Sequence, residues 1–191
     1  MKKSVCSIGY CNDKSWRDNP IAYKYWENML RRCYYKKNLE EHETYMGCEV
    51  CKEWLCFDIF LEWYEENYYE IKGQKMCLDK DILFKGNKIY SPQTCIFVPQ
   101  RINTLFVKKD KNRGELPIGV FWDEDRQKYK ATWRDCNSKS HSKRFVCMLD
   151  AFNCYKFFKE KIIKEVADEY KDLIPKELYE AMYRYEVEIN D

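Results

Sequence analysis

Apolar side chains at three- and four-residue spacing give the chain its first regular pattern. Tyr23, Trp26, Met29, Leu30, Cys33 and Tyr34 fall on one face of a helix, as a repeat of 3.6 residues requires. Asn19-Pro20 marks the start, because Asn caps helices and Pro suits the first helical position, where its missing N–H has no intrahelical partner anyway. The opposite face carries Lys24, Arg31, Arg32 and Lys36. It is expected as solvated surface, with phosphate contact as the functional alternative. Residues 38–47 are polar and end in Met46-Gly47, which predicts a loop. A second helix is predicted over Lys52 to Asn67, where Trp54, Phe57, Phe60, Leu61 and Tyr64 make it part of a core.

The pattern then shortens. Lys72-Gly73-Gln74-Lys75 is a turn, Met76 to Asp79 a short strand, and residues 85–92 a loop containing Gly86-Asn87 and Ser91-Pro92. Thr94 to Val98 is β-rich and continuous in its apolar positions, the mark of a buried strand. Pro99 opens a helix with Ile102, Asn103, Leu105 and Phe106. The charged stretch KKDKNRGE (residues 108–115) predicts a boundary, so the expected organisation is a first module over 1–107, a linker over 108–116 and a second module over 117–191. The second module reads as three short strands (Ile118–Trp122, Lys128–Arg134 and about Lys143–Val146), a long helix from about Leu149 to Lys171 and, beyond Pro175, an acidic last helix. The fold class expected is α+β.

Composition changes this picture little. At 191 residues, 45% hydrophobic and 17% aromatic, the chain has material for one or two small cores. No run of about 18 apolar residues occurs, so no membrane partner is expected. The basic N-terminus lacks the apolar stretch of a signal peptide, so a cytoplasmic protein is expected. Eleven cysteines, an odd number, are scattered through apolar patterns, and in a reducing compartment such thiols behave as small hydrophobes. Cys48-x-x-Cys51 has zinc-ligand spacing, but no second CxxC accompanies it, so zinc is not favoured.

Charge changes the picture more. The net charge of +2 conceals 12 Lys/Arg against 6 Asp/Glu from Arg101 to Arg144, and 5 against 10 from Glu160 to Asp191. Segregated charge points to a polyanionic partner for the middle of the chain. In the stretch KYKATWR, alternation puts Tyr129, Ala131 and Trp133 on one face of a strand. Lys128, Lys130, Thr132 and Arg134 take the other, with no acid among them. Lys143 and Arg144, with Lys108, Lys109, Lys111 and Arg113, add to the positive field. A sheet with such a face can enter a major groove and reach phosphates and guanine acceptors.

GVFWDEDRQKYKATWRD, then Arg144-Phe145, then DAFNCYKFFKE resembles the three-strand-plus-helix DNA-binding domain of plant ethylene-response factors, the Apetala type. Gly119-Val120, Tyr129-x-Ala131, Phe145 and Ala151…Tyr155 carry the resemblance in order. It implies a DNA-facing set of Phe121, Lys130, Thr132 and Arg134; Phe121 stands where the family usually has Arg.

The strand–loop–strand–helix order over 76–106 resembles the ββα-metal core of HNH endonucleases. With WENMLRRCY and CKEWLCFDIFLEWY upstream, the whole chain is similar to phage-encoded HNH-type proteins of the homing-endonuclease-like kind. The resemblance implies Mg²⁺ held by Asp79, Asp81 and Asn103 as the catalytic set, with Asn87 near the loop position. The metal would stabilise a departing oxygen. The motif His is missing, since the only two histidines are His42 and His141. Two functions are therefore expected to compete. One is DNA binding with metal-dependent phosphodiester cleavage. The other is a non-catalytic phage inhibitor of a bacterial defence system, in the cytoplasm of the bacterial host, acting through a host defence protein, nucleic acid or nucleotide. The acidic end suits a protein partner or a homo-oligomer.

Overall fold

A computed structural model describes residues 5–12, 16–41, 43–107 and 114–191, apart from the side chains of residues 38, 41 and 43. Lys108, Lys109, Lys111, Arg113 and His42 lie outside the described residues. The chain is mixed α+β and forms two compact units, Met1–Gln100 and Arg101–Asp191. The division thus precedes the charged stretch expected to mark it. Among the described residues, no helix is long and apolar enough to cross a membrane.

In the first unit, α1 (Pro20–Tyr34) starts at the expected Pro and buries the predicted stripe of Trp26, Met29, Leu30 and Cys33. The polar stretch that follows is not all loop: it holds the short helix α2 (Lys36–Glu41) and a 3₁₀ turn, Glu43–Tyr45. The next helix, α3 (Phe57–Asn67), starts later than its aromatic pattern suggests. Cys56 is extended and pairs with Tyr10: the Tyr10 N–H donates to the Leu55 carbonyl, and the Phe57 N–H to the Tyr10 carbonyl, both at 2.9 Å. That pairing uses backbone groups a longer helix would need, so Glu53–Leu55 forms a separate 3₁₀ turn.

Four strands complete this unit. β1 (Glu49–Val50) runs parallel to β3 (Ile89–Tyr90), a two-residue pairing too short to show in the hydrophobic pattern. β2 (Met76–Asp79) pairs antiparallel with β4 (Ile96–Pro99), with Leu78 opposite Phe97 and Asp79 opposite Ile96. The Phe97 ring is clasped by Tyr25, Trp63, Tyr64 and Tyr68, with centroids 5.0–5.5 Å away. Two tyrosine hydroxyls tie the same strands down, Tyr25 to the Met76 carbonyl and Tyr69 to the Phe97 carbonyl, both at 2.9 Å. Beneath them Trp26 donates its indole N–H to the Trp54 carbonyl at 2.7 Å, satisfying a polar group at a fully buried position. The chain then enters α4 (Gln100–Leu105), whose residues beyond Gln100 belong to the second unit.

The second unit is an antiparallel meander, β5 (Val120–Asp123), β6 (Lys128–Arg134) and β7 (Ser140–Phe145), packed on the long helix α5 (Met148–Tyr170). Val120, Ala131 and Ala151 have no exposed surface and form the seam between sheet and helix. Gly119 has φ +74, and a Cβ there would lie 2.1 Å from the Tyr155 ring, so the backbone needs both the left-handed geometry and the missing side chain. β7 begins earlier than its apolar end suggested. Asp135 organises the turn before it, accepting the Asn137 and Lys139 N–H groups on Oδ1 and pairing with His141 at 2.7 Å.

Helix α6 (Lys176–Arg184) returns along α5, where Tyr179 and Tyr183 both donate to Asp168 Oδ1. Its own charge is balanced, Lys176 and Arg184 against Glu177 and Glu180, so the acidic character expected of it resides in neighbouring segments. The chain leaving α6 inserts Val187 into the sheet–helix core, fixed by Lys156 donating to its carbonyl and by its N–H donating to Glu160, both at 2.8 Å.

Phe97→Ala should destabilise the protein by about 3–5 kcal/mol in urea unfolding, since a buried aromatic truncated to Ala leaves a cavity the ring cage cannot close. Gly119→Ala should cost more than about 1 kcal/mol, because the clash with Tyr155 adds to the positive-φ penalty. Wild-type stability in either variant would contradict the packing described.

Candidate nucleic-acid interface

The burial of Ala131 decides the sides of the sheet. Residues opposite one another on paired strands share a face, and neighbours along a strand alternate. Ala131 faces the helix, so Tyr129 and Trp133 do too. Trp133 stacks on Phe158 of α5 with centroids 4.2 Å apart and planes 2° from parallel. Lys128, Lys130, Thr132 and Arg134 must then point outward. The register adds their neighbours: Asp123 beside Lys128, Phe121 and Arg144 flanking Lys130, Ser142 beside Thr132 and Ser140 beside Arg134.

Lys128 and Arg134 are exposed, and Lys130 and Thr132 partly so. Among the described residues, the side chains of Lys128, Lys130 and Arg134 have no hydrogen-bond or ion-pair partner. Arg144 differs: its Nε donates to Asp123 Oδ2 at 2.6 Å. This pairing holds the Asp123 carboxyl below its usual range, with Lys130 acting in the same direction. The outer face therefore contains one acid, contributed by β5 and invisible in the alternation of β6 alone. Phe121 lies in the same row, 40% exposed, on a surface otherwise polar.

Lys143 goes the other way. It opposes Ala131 and so belongs to the helix side, where its ammonium lies 5.4 Å from the Phe145 ring centroid and its charge acts on Cys154. Lys143 and Arg144 are neighbours in sequence, and strand geometry separates them. Sequence reasoning passed over Ser140, Ser142 and Asp123. Extending the alternation of β6 across both partner strands would have found them, given the register.

The hairpin residues are committed locally. Asp79 Oδ1 accepts the N–H groups of Asp81 and Ile82 at 2.9 and 2.8 Å. Burial first, then the Asp81 charge, pushes its carboxyl up to about 6. Lys80 is buried, donating to the Asn87 carbonyl at 3.1 Å and lying 3.3 Å from Asp81 Oδ2. Asn87 staples the loop: its Nδ2 donates to the carbonyls of Lys80 and Ile89, both at 2.7 Å, and its Oδ1 accepts the Ile89 N–H. Asn103 is on α4, in the part assigned to the second unit. Among the described residues, no three His, Cys, Asp or Glu side chains gather where they could hold a metal. A divalent cation needs several oxygen ligands free to turn toward it, and Asp79 Oδ1 already accepts two backbone N–H groups. All eleven cysteines are unpaired, and burial pushes the Cys33 and Cys95 thiols up to about 12.

The raised Asp79 carboxyl makes a pH prediction. An unfolded Asp ionises near pH 4, so between about pH 4 and 6 the folded state holds the extra proton and this residue's contribution falls as pH rises. Asp79→Asn keeps the Oδ1 acceptor and removes the charge. Its stability relative to the parent should therefore grow from pH 4 to 6 and then level off in urea unfolding. A constant difference across that range would refute the assignment. Compared with protein-family models, curated proteins and solved structures, the chain matches none.

Proposed function

We propose that this protein binds DNA through the outer face of β5–β6–β7, and that the β2–β4 hairpin is an HNH-like scaffold serving shape. One observation carries the reading: Lys128, Lys130 and Arg134 share an open face with no carboxylate partner among the described residues. Along the strand Lys128 and Lys130 stand about 6.8 Å apart and Arg134 about 13.6 Å beyond Lys130, a row of cations suited to phosphates. Neutralising phosphates releases counterions, so affinity falls steeply with salt. The committed state of Asp79 and Asn87 favours binding over cleavage as the activity of the chain.

Fluorescence anisotropy with labelled DNA at increasing salt tests this. Three phosphate contacts predict a slope of log K against log salt of about −2 to −3. Lys130→Ala and Arg134→Ala should each reduce the slope by about 1, while Lys143→Ala, on the opposite face, should leave it unchanged. A flat salt response, or equal losses in all three variants, would remove the face from consideration. The same samples incubated with Mg²⁺ should leave the DNA intact; strand cleavage abolished by Asp79→Asn would reinstate Asp79, Asp81 and Asn103 as a nuclease site.

A further inference from the structure

The cationic face also carries a feature that phosphate binding leaves unexplained. Phe121 stands on the outer side of β5, 40% exposed, although the helix side of the same strand is filled by Val120 with no exposed surface. No other ring in the described residues lies against it. It sits in register beside Lys130, with Arg144 one strand further, so aromatic ring and cation are nearest neighbours across about 4.8 Å.

The face is poorly equipped to read base edges. Reading a duplex sequence relies on planar, bidentate groups, above all Arg on guanine. Arg144 is engaged with Asp123 through Nε at 2.6 Å. Lys128 and Lys130 are point charges that suit phosphates, leaving Arg134 as the planar cation of β6, with no side-chain partner among the described residues. A phenyl ring can meet only a methyl group in a major groove, because paired bases hide their faces in the stack. A base out of the stack offers its whole face, and such stacking beside a positive track is how single strands are held without sequence preference.

We infer that the favoured ligand of this face is unpaired, single-stranded DNA, with Phe121 stacking on one base while Lys128, Lys130 and Arg134 hold the adjoining phosphates. This rests on the DNA-binding reading above and deepens it.

Anisotropy with a 15-nucleotide single strand, its duplex and an abasic strand of equal length tests the inference. The single strand should bind about 10-fold or more tighter than the duplex. Phe121→Ala should weaken the single strand by about 5- to 150-fold, the range of one aromatic–base stack. It should leave the duplex and the abasic strand unchanged, and Phe121→Tyr should restore binding. Since Phe121 is exposed, its variants should unfold at the parental urea midpoint, which checks that they are folded. Salt-dependent binding in which the abasic strand matches the normal one, or in which Phe121→Ala affects neither strand or both forms equally, overturns the stacking role and leaves DNA binding standing. Absence of salt-dependent binding to any of the three overturns both.

Discussion

The contact between β6 and α5 is the constraint on which the functional surface depends. Ala131 is fully buried with Val120 and Ala151 in the seam, and the Tyr155 ring occupies the space that a side chain at Gly119 would take. With Ala131 held inward, every even-numbered residue of β6 is forced outward, and four polar side chains reach one surface. A slip of one residue would put Lys130 into the apolar seam and Ala131 into water, so the hydrophobic packing specifies the electrostatics.

Much of this was legible in the chain. Alternation in KYKATWR assigned both faces of β6, and the three- and four-residue spacing of Trp26, Met29, Leu30 and Cys33 assigned the buried side of α1. The register of the neighbouring strands was not legible, because it depends on the turn built by Asp135 and on Ser138, which adopts a positive φ of 65°. One residue of ambiguity there exchanges the directions of Lys143 and Arg144. The acid opposite Arg144 was hidden for the same reason: Asp123 is distant in sequence and reaches it across the middle strand.

The hairpin shows a different limit. Asp and Asn are residues of metal and acid–base chemistry, and also residues that loops use to satisfy their own backbone. Sequence alone does not separate these roles. In the structure Asp79 turns one oxygen onto two N–H groups, and Asn87 spends its whole amide on Lys80 and Ile89. The start of α3 was obscured by a third effect, a long-range pairing between Tyr10 and Cys56 that no periodicity in residues 52–67 encodes.

The tryptophans divide between the two units in a way that gives each a native optical reporter. Trp54 and Trp63 lie 4.7 Å apart among the aromatic rings of the first unit, close enough for their transitions to couple and produce a near-ultraviolet circular dichroism signal that vanishes when that cage loosens. Trp133 stacks on Phe158 in the second unit, so its emission responds to the sheet lifting from its helix. Loosening of either unit thus has its own optical signal in unlabelled protein.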